Sequence, residues 1–247
     1  MMNLCVVIPN FNHTHAIDSV IAQLSGEGFD IVMVDDGSEE QAHQHFCALE
    51  KRYKNVSLIR HQTNQGKGGA VQSGLRWAFA KGYTHALQVD ADGQHCLADI
   101  SRLIDCAKAH PEALVSGRPI YDESIPKHRY ISRYITHFWV WVETLSFSIK
   151  DSMCGFRIYP LSASIALFDK VDLGKRMDFD IEVMVRMYWQ GTPSVFVETQ
   201  VIYPENGVSH FQPLNDNLKI SWLHTRLFFG MLVRIPKLLF FKPKVGA

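Results

Sequence analysis

The chain carries no net charge: 25 lysines and arginines face 25 aspartates and glutamates. No global field recruits nucleic acid, and no nucleic-acid partner is expected. It also lacks any CxxC pair. The five cysteines, Cys5, Cys47, Cys96, Cys106 and Cys154, are scattered, which argues against a zinc centre and fits a reducing compartment. The opening MMNLCVVIPNFN has no basic segment and only a short apolar run, so no secretory leader is expected and the cytoplasm is the expected location. The apolar aromatic stretch ITHFWVWVETLSFSI falls short of the about 20 residues a membrane span needs. Neither the P-loop pattern nor GxGxxG occurs. Internal repeats and low-complexity linkers are absent as well.

The 247 residues are 47% apolar and 20% charged, enough for one large core with a tail. Two short, nearly continuous apolar runs, LCVVI (4–8) and DIVMV (30–34), predict strands covered on both faces. Between them Ile17, Val20, Ile21 and Leu24 recur at helical spacing. The alternation continues with a helix over 41–53, a strand at VSLIR, a helix over about 69–81, a strand at HALQV, a helix over 97–109 and a strand at ALVSG. Such a run predicts an α/β fold with a mostly parallel sheet flanked by helices. In sheets of that kind ligands bind outside the carboxyl ends of the strands.

Polar residues concentrate at those ends: PNFN after the first strand, DDGS after the second, DADGQ after the fourth. Asp90 and Asp92, two apart in an extended exit, project to one side. Two carboxylates held close repel unless a cation lies between them. Mg2+ or Mn2+ suits, since each accepts one or two carboxylates together with phosphate oxygens and water. Gln94 offers a third oxygen from the same side, while His95 reads as a further donor or a loop residue. Asp35 and Asp36 serve either to recognise a base or ribose or, through Asp36 or Ser38, to cap the next helix. NQGKGGA (64–70) opens a helix, so its backbone N–H groups could approach a phosphate, with Lys67 as a point charge.

In this order the motifs VVIPNFN, VDDGS, NQGKGGA and DADGQH resemble glycosyltransferase family 2, inverting enzymes of GT-A (Rossmann-like) fold, and most closely its polyprenyl-phosphate sugar transferase branch. The resemblance covers about residues 4–210. It implies a UDP- or GDP-sugar donor held by Pro9, Phe11, Asp36 and Lys67, with Asn10, Asn12, Asp35 and Asp90 alongside. It further implies a Mg2+ or Mn2+ ion held by Asp90, Asp92 and Gln94 against the diphosphate, where it would neutralise charge on the leaving group. A lipid-linked acceptor would attack the opposite face of the anomeric carbon.

The second half is expected to supply that acceptor. DSMCGFR is similar to the branch's D-P-x-S-G-F-R segment: Gly155, Phe156 and Arg157 match, Ser152 and Met153 depart, and Cys154 stands where Ser is common. The resemblance implies acceptor-phosphate contacts from Arg118, Arg129, Ser132, Arg133 and Arg157, since guanidinium binds phosphate bidentately. Arg129 and Arg133 read equally as a basic surface at the membrane. Asp180 and Glu182 in FDIEVMVR are either a base for a hydroxyl acceptor or carboxylates favoured by a helix N-terminus. A phosphate acceptor, already anionic, needs neither. His210 stands where the family often has a basic residue, and reads as base, phosphate donor or structural histidine.

Two parts are expected: a catalytic domain over 1–212 and an apolar, basic tail over 213–247. At about 100° per residue, Lys219, Arg226, Arg234 and Lys237 fall within an arc of roughly 80°. That favours a helix lying in a membrane interface, with packing on the domain or a second subunit as the alternative; the basic residues and Pro236 interrupt any span. Deletion after about Phe211 is then expected to make the protein soluble without detergent and weaken lipid binding. The resulting expectation is a metal-dependent glycosyltransferase, peripheral at the cytoplasmic membrane face, with Asp92, Asp180, Glu182 and His210 as its catalytic candidates. A hydroxyl acceptor, lipid or polyketide-like, is one alternative. Nucleotidyl transfer is another, but it predicts a basic glycine-rich loop after the first strand, which PNFNHTHA lacks.

Overall fold

The computed structural model describes residues 2–120, 127–200, 213–240 and 243, with side chains outside its description at 127–132 and 213–215. Seven strands form one sheet: β1 (Leu4–Asn10), β2 (Ile31–Asp35), β3 (Val56–Arg60), β4 (His85–Gln88), β5 (Leu114–Ile120), β6 (Arg157–Pro160) and β7 (Ser194–Gln200), in the order β3-β2-β1-β4-β6-β5-β7. All pairs are parallel except those of β6, which runs antiparallel between β4 and β5.

Helices cover both faces. On one side α1 (Ile17–Gly26), α2 (Glu40–Arg52) and α4 (Ile100–Ala109) pack on Val6, Ile8, Ile31 and Met33. On the other, α3 (Lys67–Ala80), α5 (Lys127–Thr144), α6 (Leu161–Phe168) and α7 (Phe179–Gln190) pack with Cys5, Val7, Val32 and Val34. Alternate strand residues therefore enter opposite cores, which is why these strands read as unbroken apolar runs. Gly191, at φ +106°, ends α7 in the left-handed conformation as its place after the helix implies.

Two expectations change in the second half. The stretch DSMCGFRIYP reads as a loop, yet its last four residues are β6. Their side chains are fully buried, and their pairing partners lie some 70 residues earlier in β4, a contact with no local signature. The tail is also not separate from the domain. Helices α8 (Pro213–Leu232) and α9 (Ile235–Phe240) send Leu223, Leu227, Met231 and Leu238 into the same core as Phe179 and Met184.

Of the four residues in that tail's basic arc, three contact the domain and Lys219 is exposed. Arg226 donates to Glu182, Arg234 lies 4.7 Å over the Trp189 ring, and Lys237 donates to the Trp189 carbonyl. A wheel finds an arc but not which side the protein occupies. Apolar side chains of α8 and α9, among them Trp222, Phe229, Val233 and Phe240, point outward instead. Among the described residues, no helix is long and apolar enough to cross a membrane.

Candidate active site

The carboxyl ends of β2, β1 and β4 lie side by side and deliver DDGS, PNFN and DADGQ to one edge of the sheet. Because β6 is antiparallel, it starts where β4 ends: Arg157 pairs with Gln88. The segment 151–157 is thereby brought over the same edge. At Gly155 an added Cβ would lie 2.7 Å from Lys67 Nζ, 2.7 Å from Gln88 Nε2 and 3.0 Å from Asp90 Oδ2. Only glycine lets the backbone pass that close.

Lys67 is the centre of the charge arrangement. Its Nζ donates to Asp90 Oδ2 at 2.8 Å and lies 3.3 Å from Asp180 Oδ2. Burial opposes the ammonium's charge, but the Asp180 and Asp90 carboxylates outweigh it and hold the group protonated well above the ordinary lysine range. For Asp90 burial likewise opposes ionisation, and the Lys67 ammonium reverses that, keeping it a carboxylate. His95 stacks on Phe156 with centroids 4.8 Å apart, and its Nδ1 accepts from the Asp90 backbone N–H at 3.3 Å. Burial lowers its pKa against the pull of Asp90, so it enters the site as a neutral ring.

A supporting layer escapes motif reading. Gln88 donates to Asp90 Oδ1 at 3.2 Å and accepts from the Tyr159 hydroxyl at 3.0 Å. The available signal is a glutamine inside an apolar strand, since a polar group in a buried run needs a partner.

The predicted donor residues divide. Asp36, 2% exposed, accepts from His61 Nδ1 and from the backbone N–H groups of Gln65 and Gly66 at 2.7–2.9 Å. It therefore fixes the loop that carries Lys67. Asp35 has no accessible surface, and its oxygens meet Ser38 N–H, His43 Nδ1 and Arg60; in place of direct contact with a base, it ties the end of β2 to the turn and helix that follow. The Asn10 side chain brackets the His13 backbone, and Asn12 Oδ1 accepts from the Glu39 N–H at the start of α2. Pro9 is buried and Phe11 half-buried beside them. Asn12 sits at φ +60°, which asparagine tolerates better than most residues. Asn12→Ala is thus expected to cost about 1–2 kcal/mol in chemical denaturation, and Asn12→Gly less, because glycine loses the cap without the backbone strain.

The glycine loop also changes role. Its Gln65 and Gly66 N–H groups are spent on Asp36 and that of Gly69 on the Lys175 carbonyl. Gly66, at φ +96°, has no room for a Cβ beside that same carbonyl. The small residues here serve close packing against 174–179, and the Lys67 side chain points from the loop to Asp90 and Asp180.

Among the acceptor candidates, Arg157 is corrected. It is fully buried, donating to the Asp180 and Ser152 carbonyls at 2.7 and 2.8 Å, so it braces α7 against the 151–157 segment from within the core. Arg133 pairs with Asp151, whose other oxygen accepts from the Met153 and Cys154 N–H groups. His137, one turn on, has Nε2 3.7 Å from Asp151. Arg118 is exposed, 3.6 Å from Glu198. The side chains of Arg129 and Ser132, and all of His210, lie outside the described residues.

Asp180 and Glu182 part company, as residues two apart on a helix do. Asp180 faces Lys67. Glu182 is fully buried away from it, accepting from Gly174 N–H, Arg186 and Arg226, which corrects its candidacy as a base.

Among the described residues, no group of three or more His, Cys, Asp and Glu side chains could hold a metal by itself. Asp90 and Asp92, with Asp92 Oδ1 accepting from the Gln94 N–H at 3.0 Å, make a set of two carboxylates. That set fits a hard divalent ion which takes its remaining oxygens from phosphate and water, as Mg2+ and Mn2+ do.

Residues 5–175 match the family described as Glycosyl transferase family 2. The chain is 28% identical over 210 residues to a dolichyl-phosphate beta-glucosyltransferase of Saccharomyces cerevisiae, covering 74% of this chain and 61% of the relative. It is 28% identical over 182 residues to a UDP-N-acetylglucosamine–dolichyl-phosphate N-acetylglucosaminyltransferase of Methanococcus voltae, covering 67% and 72%. Its fold is similar to the mannosyltransferase PcManGT from Pyrobaculum calidifontis, solved in complex with GDP-Man and Mn2+, at a TM-score of 0.58 and 14% identity over 94% of this chain and 64% of that one.

Proposed function

Because the chain belongs to glycosyl transferase family 2, we propose that it moves a sugar from a nucleoside-diphosphate sugar to a polyprenyl-type lipid phosphate at a membrane surface, with inversion at the anomeric carbon. The observation that carries this reading is the reach of one short segment. Gly155 lies against Lys67 and Asp90, and four residues earlier Asp151 holds Arg133. The diphosphate end and an arginine suited to phosphate are thus coupled through a few residues of backbone. The relatives that act on dolichyl phosphate support the same acceptor class.

A divalent metal held by Asp90 and Asp92, with Gln94 beside them, would supply charge neutralisation on the leaving diphosphate. Lys67 adds a fixed positive charge next to it, oriented from both sides by Asp90 and Asp180. Gly155 and Phe156 cover the site and limit water, which would otherwise compete with the acceptor. A neutral hydroxyl acceptor would need a base, yet Asp180 is engaged with Lys67 and Glu182 faces elsewhere. A phosphate needs none, and this favours phosphate over a hydroxyl.

The test is direct. With radiolabelled UDP-glucose, UDP-N-acetylglucosamine or GDP-mannose, dolichyl phosphate in detergent and Mg2+ or Mn2+, one donor is expected to place metal-dependent label in the organic phase. No label from any donor, with lipid hydroxyl acceptors labelled instead, would overturn the phosphate assignment.

Membrane contact is ascribed to the outward apolar side chains of α5 and α8, among them Ile135, Phe138, Trp222 and Phe229, at the cytoplasmic face. Apolar groups in such numbers favour an interfacial position. Changing both Trp222→Ser and Phe229→Ser is expected to weaken binding to phospholipid vesicles by about tenfold or more while leaving the melting temperature in place. Undiminished co-sedimentation would remove this face from the account.

A further inference from the structure

Helix α2 carries a nucleophile and a base, and Asp35 at the end of β2 faces them with a carboxylate; the thiol and the imidazole have no part in sugar transfer. His43 and Cys47 are four residues apart and share one helix face. His43 Nδ1 lies 2.7 Å from Asp35 Oδ2, and His43 Nε2 lies 3.4 Å from Cys47 Sγ. Asp35 is held as an acceptor: its Oδ1 takes the Ser38 N–H at 2.9 Å, and the Arg60 guanidinium lies 3.7 Å from Oδ2. The Nδ1 proton therefore points at Asp35, which leaves the Nε2 lone pair facing the thiol. Roles and order are those of an activated cysteine: thiol, imidazole, carboxylate.

The other four thiols lack this arrangement. Cys5 and Cys154 are buried, and burial pushes both up to about 12. Cys96 and Cys106 are partly exposed like Cys47, but among the described residues Cys47 is the one whose sulfur meets a histidine ring at hydrogen-bond distance. Cys47 lies on the solvent side of α2, next to the exposed Ala48 and Gln44, within reach of a small molecule.

We propose that Cys47 is a thiol–disulfide exchange site that takes low-molecular-weight disulfides of the glutathione class. Cys47 Sγ gives its proton to His43 Nε2 and attacks one sulfur of the disulfide. The new Cys47 S–S bond forms as the old one breaks, and the departing thiolate takes the proton from His43. Cys47 is oxidised to the mixed disulfide, half of the small disulfide is reduced to thiol, and excess thiol reverses the exchange. No donor, metal or lipid takes part, so the outcome is independent of the sugar-transfer reading.

The experiment treats the native full-length chain with oxidised glutathione at neutral pH and maps all five cysteines over time by peptide mass. Cys47 is expected to acquire the adduct about tenfold faster than Cys96 or Cys106, and dithiothreitol to remove it. In His43→Gln the Cys47 rate is expected to fall to that of the other two. Equal rates for the three partly exposed thiols in the wild-type protein overturn the proposal, whether or not the variant folds. So does a folded His43→Gln protein in which Cys47 keeps its speed.

Discussion

Asp92→Ala is expected to leave the melting temperature within a few degrees of the parent and to lower sugar transfer by a factor on the order of a thousand. The two effects separate because Asp92 is half-exposed and accepts a bond from the Gln94 N–H, two residues further on. Losing one such bond costs about 1 kcal/mol. Asp90 offers no such clean test, since it also neutralises Lys67, and its loss would leave that buried ammonium with Asp180 alone. Transfer depends on Asp92 differently: as one of only two carboxylates at the strand exit, it has no substitute in the described donor set. The measurement is initial rate against Mn2+ concentration, beside thermal unfolding of the same preparation. Full rate at saturating metal would sink the metal assignment, and a collapsed melt would reassign Asp92 to the fold.

The first half of the chain was legible because its signals are local. LCVVI and DIVMV are covered on both faces and look it, and the acidic residues stand where each strand runs out. What a motif cannot state is whether the space it creates is filled by ligand or by protein. NQGKGGA announces a close approach, and the approaching group is the Lys175 carbonyl. VDDGS announces acceptors, and their donors are His43, His61 and the loop backbone.

The second half resisted for a different reason. Strand β6 is four residues long and gains its place from β4 and β5 on either side, so nothing in RIYP itself says strand. Arg157 looks like a phosphate ligand for the same chemistry that lets it bond two backbone carbonyls in the core. Glu182 looks like a base or a helix-start carboxylate until α8 is laid against α7, when Arg226 joins Arg186 as its partner.

That last contact reverses the expectation for the tail. Removing residues 213–247 is expected to leave a chain that does not fold cooperatively, rather than one relieved of detergent. Leu223, Leu227, Met231 and Leu238 are each at most 4% exposed. Burying a side chain of this kind is worth about 1.5–3 kcal/mol, so the four together approach the whole stability of an ordinary domain, about 5–15 kcal/mol. Charge adds to the loss. Glu143, fully buried, would lose the His224 ring that lies 2.7 Å from it, and an uncompensated buried carboxylate costs several kcal/mol; Glu182 would lose Arg226 and keep Arg186 and the Gly174 N–H. The truncated chain is expected in inclusion bodies, or as a dye-binding species without a sharp melt. A soluble 1–212 monomer melting within a few degrees of the full chain would show the tail to be an accessory after all. The contrast with the Trp222 and Phe229 variants is what separates the two faces of α8: its inner face holds the domain together, and only its outer face is free to meet a lipid surface.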